Sequence, residues 1–301
     1  MPTSHLIYLG TYTRHGSQGI YATRLDGDTG TLSPPRLVAE TPDPAWITLT
    51  PDRKFLYAVH PSTAQASGFA VDPASGALAA LPLAPATPAQ PPCHLVVDAT
   101  GRALLVANYR DGYVAAISIR PDGTLGPPAV VQHEGRGPHP TRQDKAHVHS
   151  VTLSPDQRFL LVADLGLDRI YTYAVDVAAG RLTPATPPFV STAPGAGPRH
   201  FKFGHSGRHA YVINELDNTI AVYDYDAARG ALTPKQTVST LPGGFAGANI
   251  SAEIRVHPDG RFVYGSNRGH DSIAVFTIDA ADGRLSPQPI EIVPTGGKNP
   301  R

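Results

Sequence analysis

The sequence predicts an all-β protein, specifically a β-propeller built from four-stranded blades. Short apolar runs with an alternating pattern recur along the 301 residues, and no stretch holds a sustained apolar stripe at helical spacing. Glycine and proline contribute 29 and 31 residues, spread over the whole chain, which leaves little room for long helices. A segment of about 50 residues also repeats along the chain, as propeller blades do.

Five segments carry the repeat, each with an apolar run, a tight turn, a basic residue and a second apolar run. In chain order they are "WITLTPDRKFLYAVH", "HLVVDATGRALLVANY", "SVTLSPDQRFLLVADLG", "HFKFGHSGRHAYVINEL" and "EIRVHPDGRFVYGSNRG". Their equivalent turn residues, Asp52, Thr100, Asp156, Ser206 and Asp259, are separated by 48, 56, 50 and 53 positions. Each segment therefore predicts the first two strands of one blade.

A third strand and a "G-x-L" turn into a fourth strand follow each segment, as in "GFAVDPASGAL" and "AVFTIDAADGRL". Regular units of four short strands favour a propeller over a β-sandwich or a solenoid. The blade before these five has three runs, "LIYLGTY", "GIYATRLD" and "LSPPRLVAE". The end of the chain, "PTGGKNPR", matches only the start of a further blade. We therefore expect residues 1–301 to form one propeller domain that is C-terminally incomplete, unless the ring stays open or closes with six blades.

Composition narrows the function classes. Lys+Arg and Asp+Glu both number 25, so the basic surface that nucleic acid demands is not expected. Cys93 is the single cysteine and cannot form an internal disulfide, which favours a reducing compartment. The N-terminus lacks the pattern of a signal peptide, and no apolar run has the length of a membrane span. We expect a cytoplasmic protein without a nucleic-acid, membrane or obligate protein partner.

Two columns of equivalent positions differ from blade to blade, although structural positions in a repeat should resemble one another. The start of the first strand carries Ala45-Trp46, Cys93-His94, His149-Ser150, Arg199-His200 and Ala252-Glu253. The end of the second strand carries Thr11-Tyr12, His60-Pro61, Asn108-Tyr109, Asp164-Leu165, Asn214-Glu215 and Asn267-Arg268. Unlike ionisable residues at equivalent places predict a functional ring at one mouth of the propeller channel. The Asn and Asp residues have a plainer interpretation, since they favour turns after a strand.

These residues lie in motifs that resemble the lactonase family of seven-bladed β-propellers. The motifs "RQDKAHVHS", "VADLG", "GPRH", "NEL" and "SNRG" occur in order, and the resemblance extends from Leu6 to Arg301. That family includes bacterial cytoplasmic 6-phosphogluconolactonases and is related to fungal 3-carboxy-cis,cis-muconate lactonizing enzymes. Two departures stand out: His60 occupies a place where members often carry Glu, and a seventh blade with its closing strand is absent.

The resemblance implies a carboxylic ester hydrolase that opens 6-phosphogluconolactone, a step of the pentose phosphate pathway. It places the catalytic histidine at His149, the glutamate at Glu215 and the arginines at Arg199 and Arg268. A near-neutral histidine suits a general base, with Glu215 orienting it or replacing it, and guanidinium groups suit an oxyanion or a phosphate. Further candidates for substrate binding are Arg142, Lys145, His200, Glu253, Asn108 and Asp164.

Three alternatives remain open. A lactonizing cycloisomerase would use the same residues on a polyanionic acid, and a non-catalytic binding propeller would keep only the blades. A metal site is the third, because His147 and His149 would face the same side of a regular strand. Asp164, His94, His200 or Glu253 would then have to converge on them, and no tight spacing supports this. We predict no metal and no cofactor.

Overall fold

The computed structural model describes residues 3–82 and 92–301, apart from the side chain of His15, and these residues are almost entirely β-structure. They contain one short 3₁₀ turn, Thr13–His15, and no α-helix. No helix among them is long and apolar enough to cross a membrane. The predicted all-β class is confirmed.

The described strands form successive antiparallel sheets in which neighbours in sequence are neighbours in space. One three-stranded sheet precedes five four-stranded sheets, as the repeat predicts. The first three sheets contain β1 (Ser4–Leu9), β2 (Gly19–Asp26) and β3 (Arg36–Glu40); β4 (Trp46–Leu49), β5 (Phe55–His60), β6 (Gln65–Val71) and β7 (Leu78–Ala80); and β8 (Pro92–Val97), β9 (Ala103–Asn108), β10 (Tyr113–Ile119) and β11 (Leu125–Gln132). The last three contain β12 (Val148–Leu153), β13 (Phe159–Asp164), β14 (Arg169–Asp176) and β15 (Arg181–Ser191); β16 (Pro198–Phe203), β17 (His209–Asn214), β18 (Thr219–Asp226) and β19 (Ala231–Ser239); and β20 (Ile250–Val256), β21 (Phe262–Arg268), β22 (Ser272–Thr277) and β23 (Glu291–Pro294).

The chain divides into two compact units. The first takes described residues up to Arg110 with Ala115–Val130 and Val177–Gly180, and the second takes Asp111–Val114, Val131–Asp176 and Arg181–Arg301. In the second unit β16 packs between β12 and β20, so the first strands of three successive sheets lie side by side. That order brings together the residues at the starts of these strands. Whether the chain acts as one domain stays a prediction.

The repeated turn explains its own sequence. Asp52 accepts hydrogen bonds from the Thr50 hydroxyl at 2.7 Å and from the backbone N–H of Lys54 at 3.1 Å. Asp156 does the same with the Ser154 hydroxyl at 2.6 Å and the Arg158 N–H at 3.2 Å. At these turns the aspartate accepts from one backbone N–H and one hydroxyl, which accounts for an aspartate at three of the five equivalent turn positions.

The "G-x-L" turn has a structural reason as well. Tyr57 on β5 is fully buried and donates its hydroxyl to the carbonyl of Gly123, in the turn before β11, at 2.8 Å. Tyr211 on β17 donates in the same way to Gly283 at 2.9 Å. Both glycines have a left-handed backbone, with φ of 82° and 73°. A side chain there would be strained and would crowd the neighbouring sheet, so glycine lets the two sheets approach.

The core of the second unit lies between its sheets. Leu161, Phe201, Val212 and Tyr223 form part of one buried cluster. Ile213, Ile254, Val263 and Phe276 form part of the next. Successive residues of one strand enter different clusters: Val212 belongs to the first and Ile213 to the second. This alternation is expected for a sheet that is covered on both faces. The two buried clusters hold the strands of this unit in place, and the residues described next lie at the ends of these strands.

Candidate active site

Two β-bulges determine where the first-strand side chains point. In β12 the pairing with β13 jumps from Val148 to Ser150, which leaves His149 as the extra residue. In β16 the pairing with β17 jumps from Pro198 to His200 and leaves Arg199 in the same way. A bulge breaks the strict alternation of a strand and re-aims the side chain it carries. His149 and Arg199 thus occupy equivalent positions, each as the extra residue of a β-bulge.

Glu215 is the first residue after β17 and lies at the centre of the site. Its backbone N–H donates to the carbonyl of Gly197 at 2.8 Å, and its carbonyl accepts from the N–H of Ser251 at 3.1 Å. The backbone on both sides is therefore fixed by neighbouring segments. The residue is 2% exposed, so its carboxylate is removed from bulk water. A buried charge of this kind requires partners.

Three guanidinium groups are those partners. Oε2 of Glu215 accepts from Nε of Arg199 and from Nη2 of Arg268, each at 2.8 Å, and Oε1 accepts from Nη2 of Arg142. Burial by itself would raise the pKa of Glu215, but the charges of Arg199, Arg268 and Arg142 outweigh it and hold this pKa below its usual value. Glu215 is therefore ionised at neutral pH and serves as the anion around which the arginines assemble.

His149 lies beside this carboxylate, with 3.9 Å between its Nε2 and Oε2 of Glu215. It is 6% exposed. Burial, followed by the positive charge of Arg199, lowers the pKa of His149 well below its ordinary value. The imidazole is accordingly neutral at neutral pH and has a lone pair to accept a proton. We call His149, Glu215, Arg142, Arg199 and Arg268 the Glu215 cluster.

His200 contacts Arg199 of this cluster, and Glu253 contacts His200. Nη1 of Arg199 donates to Nε2 of His200 at 3.2 Å and to the carbonyl of Ala252 at 2.6 Å. Nδ1 of His200 donates to the carboxylate of Glu253. Both ring nitrogens of His200 are thus engaged, and burial lowers its pKa well below the ordinary value. These contacts orient Arg199, and the predicted contact of His200 and Glu253 with substrate stays a prediction.

The two rim cations differ. Arg142 has a side chain that is 32% exposed and reaches Glu215, so it belongs to the cluster and is not only a rim residue. Lys145 is 49% exposed and lies 3.7 Å from Asp111. An exposed pair at that distance is weak, so Lys145 keeps most of its freedom to move.

Asp164, at the end of β13, accepts hydrogen bonds from the turn that follows this strand. Its Oδ1 accepts from the backbone N–H groups of His147, Gly166 and Leu167 at 2.8, 3.0 and 3.2 Å, and its Oδ2 faces Nδ1 of His133 at 2.7 Å. Both oxygens are occupied by the protein itself. The plainer interpretation of a turn cap therefore fits Asp164, and its part in substrate binding stays a prediction.

Two other strand-end residues can be placed. Asn108 is fully buried at the end of β9, where its part in substrate binding stays a prediction. Asn267 accepts from the Thr240 hydroxyl at 2.8 Å and donates to the Thr240 carbonyl at 2.9 Å. It therefore connects the end of β21 to the segment after β19, and these bonds do not cap the turn that follows Asn267.

The H-x-H pair does not form a shared metal site. Nε2 of His147 faces Asp144 at 3.1 Å, whereas Nε2 of His149 faces Glu215. The bulge at His149 breaks the alternation that would have placed both rings on one side. Within residues 3–82 and 92–301, no group of three or more His, Cys, Asp or Glu side chains is arranged to hold a metal ion.

Two buried residues near the cluster were missed from the sequence. Gln143 follows Arg142 and is completely buried, and Asp168 is a buried residue in the turn after β13. Gln143 lies inside the quoted motif "RQDKAHVHS", and Asp168 lies two residues after "VADLG", but a glutamine and an aspartate in turns carry no chemical pattern of their own. Their contacts become visible only in three dimensions.

Comparison with known proteins now identifies the family. A family model described as "Lactonase, 7-bladed beta-propeller" matches residues 6–301. The chain belongs to this lactonase family. The family resemblance and the β-propeller fold predicted from the repeat are thereby confirmed.

Individual lactonase relatives agree with this assignment. The "6-phosphogluconolactonase" of Bacillus subtilis is 37% identical over 302 residues, which cover 99% of this chain and 84% of the relative. A "6-phosphogluconolactonase" of Serratia proteamaculans is 33% identical and covers 90% of this chain and 77% of its own length. The solved "Periplasmic gluconolactonase" of Pseudomonas aeruginosa has a TM-score of 0.91 and 35% identity, and the match covers 99% of this chain and 85% of that one.

Proposed function

We propose that this chain hydrolyses a sugar lactone at the Glu215 cluster, and that the substrate is 6-phosphoglucono-δ-lactone. One observation carries the proposal: a buried carboxylate gathers three guanidinium groups beside a buried neutral histidine. The relatives named 6-phosphogluconolactonase support the reaction class. The cationic groups suit a substrate with a charged phosphate, whose ester also becomes negatively charged during hydrolysis.

In the proposed mechanism His149 acts as the general base. A water molecule attacks the lactone carbonyl carbon while the neutral imidazole takes its proton, which forms a tetrahedral oxyanion and an imidazolium. Collapse of the intermediate breaks the bond between that carbon and the ring oxygen. The imidazolium then gives the proton to the leaving oxygen. The product is the open-chain aldonic acid, which releases one proton to solvent and becomes the aldonate. No other reactant is consumed.

The arginines stabilise the oxyanion. Arg199 uses Nε and Nη1 in its contacts with Glu215, His200 and the Ala252 carbonyl, and these contacts leave Nη2 available as a donor. Nε of Arg268 is buried and, among the described residues, has no hydrogen-bond partner. Donors fixed before the reaction begins stabilise developing charge without reorganisation. Burial lowers the pKa of Arg199 to about 10, which still leaves it charged at neutral pH.

Glu215 is an unsuitable base in this arrangement. Both of its oxygens are occupied by ion pairs with Arg199, Arg268 and Arg142. Taking a proton from water would also weaken three ion pairs at once. Of the two base assignments that the sequence left open, the geometry supports His149, with Glu215 orienting the arginines.

The phosphate is assigned to Arg142. Its guanidinium is the most exposed of the three that contact Glu215, with 32% of its side chain accessible, so an incoming anion can approach it. Lys145, three residues later on the same connection, is a second candidate. Guanidinium and ammonium groups both recognise phosphate, the first in a fixed fork and the second as a point charge.

The test is a rate measurement with purified protein. Hydrolysis of 6-phosphoglucono-δ-lactone should exceed the spontaneous rate, and prior treatment with EDTA should leave this rate unchanged. Turnover of a carboxymuconate without lactone hydrolysis would transfer the proposal to the cycloisomerase class. Failure with both substrates would overturn the enzymatic proposal.

A further inference from the structure

We propose that Asp168, acting with Gln143, is a positioning residue for the hydrolysis, because it fixes both sides of the Arg142–Glu215 ion pair. This inference rests on the proposed function, in which that ion pair is part of the substrate site. We call Asp168 and Gln143 the Asp168 clamp. Neither residue contacts the reacting atoms in the proposed mechanism.

Gln143 connects the Arg142 segment to Asp168. Its Nε2 donates to Oδ1 of Asp168 at 2.7 Å and to the carbonyl of Leu165 at 2.8 Å. Its Oε1 accepts from the backbone N–H of His139 at 3.0 Å, and its carbonyl accepts from Gly137 at 2.9 Å. The side chain is fully buried and its amide is saturated. The backbone next to Arg142 is therefore held in place by a buried glutamine.

Asp168 connects the same point to the segment before β16. Its Oδ2 accepts from the N–H of Gly195 at 2.6 Å, and its Oδ1 accepts from the N–H of Gly197 at 2.8 Å. The carbonyl of Gly197 in turn accepts from the N–H of Glu215 at 2.8 Å. The Asp168 carboxylate is thus bonded directly to the side chain of Gln143, the neighbour of Arg142. It is also connected to the backbone of Glu215 through Gly197.

The chemistry of the clamp requires a carboxylate. The three donors that converge on Asp168 are two backbone N–H groups and one amide, so both oxygens must act as acceptors. In Asp168→Asn, one acceptor becomes an NH₂ group that faces an N–H donor. The resulting repulsion should shift the Gly195–Gly197 segment or Gln143, and with it one side of the ion pair. A displacement of about 1 Å at a site can cost about 10²-fold in rate.

The kinetic test is a double-mutant cycle. Asp168→Asn should lower kcat/KM for 6-phosphoglucono-δ-lactone by about ten- to a hundredfold. In an Arg142→Gln background, where the ion pair is already lost, the same change should cost clearly less. Equal losses in both backgrounds would show a general structural defect and would overturn the inference.

Asp98→Asn is the matched control. Asp98 is also a buried carboxylate that accepts from backbone N–H groups, those of Thr100, Arg102 and Ala103 at 2.9, 2.8 and 2.7 Å. It lies at the turn after β8, so Asp98→Asn should lose stability with kcat/KM unchanged. If Asp168→Asn fails to fold, Gln143→Met removes the amide with a similar volume and should show the same dependence on Arg142.

A second readout does not depend on activity. Phenylglyoxal modifies accessible arginines, and peptide mass spectrometry reports the rate at each one. Asp168→Asn should raise the modification rate of Arg142 severalfold, while Arg181, which is 69% exposed, should be unaffected. An inactive wild-type protein would refute the proposed function alone. An unchanged Arg142 rate in Asp168→Asn would refute the clamp alone.

Discussion

Glu215 is the residue on which the site depends. A carboxylate that is 2% exposed would be strongly disfavoured alone, and three guanidinium groups compensate for its burial. The same pairing holds Arg199 and Arg268 in place before substrate arrives. The central anion therefore organises the cationic groups, and in the proposed mechanism the proton transfer belongs to His149.

Replacement of His149 by glutamine tests its role as the base. His149→Gln should lower kcat/KM by about 10²- to 10⁴-fold, the usual contribution of general-base catalysis. His257→Gln is the control, since His257 is 42% exposed and lies in the turn after β20. Steady-state kinetics with comparable protein stability would decide. An equal loss in both variants, or none in His149→Gln, would contradict the assignment.

The pH profile gives a separate prediction. Only the neutral form of His149 accepts a proton, and burial with the charge of Arg199 lowers its pKa well below the ordinary value. The rate should therefore stay constant as the pH falls through 6.5, the ordinary pKa of a histidine, and should decline only in more acidic solution. An inflection in kcat/KM at or above pH 6.5 would mean that His149 is not the titrating base.

At the residue scale the sequence identified the ionisable members of the site because equivalent blade positions carried unlike residues. His149, Arg199, Glu215 and Arg268 were found in this way, and the structure brings them together. Asp168 escaped, because its function depends on donors from two separate segments of the chain. Asp164 was included because its residue type suggested chemistry, while its partners in the structure include backbone N–H groups, so its part in substrate binding stays a prediction.

Among the elements, the strands and turns were predictable and the bulges were not. Alternating apolar runs and the acidic turn residues show in the sequence because each depends on local spacing. The extra residue at His149 or Arg199 is defined only by the pairing of two strands. Simple alternation places His147 and His149 on the same side, and the bulge is the reason that they diverge.

The segment before β16 offers a prediction at this scale. Gly197 has φ of 65°, and a Cβ there would meet Cγ of Leu216 at 2.7 Å, next to Glu215. Gly197→Ala should cost about 2–4 kcal/mol of stability and lower kcat/KM, because relief of the clash moves the backbone that holds Glu215.

Gly180→Ala is the matched control for this change. Gly180 has a similar φ of 61°, and a Cβ there would meet nothing within 4 Å. Gly180→Ala should therefore lose only about 1 kcal/mol of stability, the cost of placing alanine in a left-handed backbone, and kcat/KM should not change. Chemical denaturation and steady-state kinetics on both variants measure the difference. Equal behaviour of the two variants would contradict the tight fit assigned to Gly197.

The stability of the whole molecule should depend on pH through its buried histidines. Burial lowers the pKa values of His149 and His200 well below 6.5, so each stays neutral in the folded protein while the unfolded chain binds a proton near that pH. Stability is therefore fully present above pH 6.5 and falls as the pH drops below it. For each histidine, the free energy of unfolding then falls by an amount that approaches about 1.4 kcal/mol per pH unit.

Urea denaturation between pH 7.5 and pH 5 measures this slope. The wild-type free energy of unfolding should fall over that range, and His200→Gln should show a shallower decline even if it is less stable overall. The depressed pKa of Glu215 adds a loss only at lower pH, as its carboxylate becomes protonated. A slope in His200→Gln equal to that of the wild type would contradict a buried neutral His200.

At the scale of the molecule, a lactonase propeller places three successive first strands side by side and converges their irregular residues on one carboxylate. The central claim is that this convergence is where the lactone is opened. A crystal structure with bound 6-phosphogluconate, the expected product, tests it most directly. We predict the product carboxylate against Arg199 and Arg268 and its phosphate at Arg142. A product bound away from the Glu215 cluster, at full occupancy, would contradict the account.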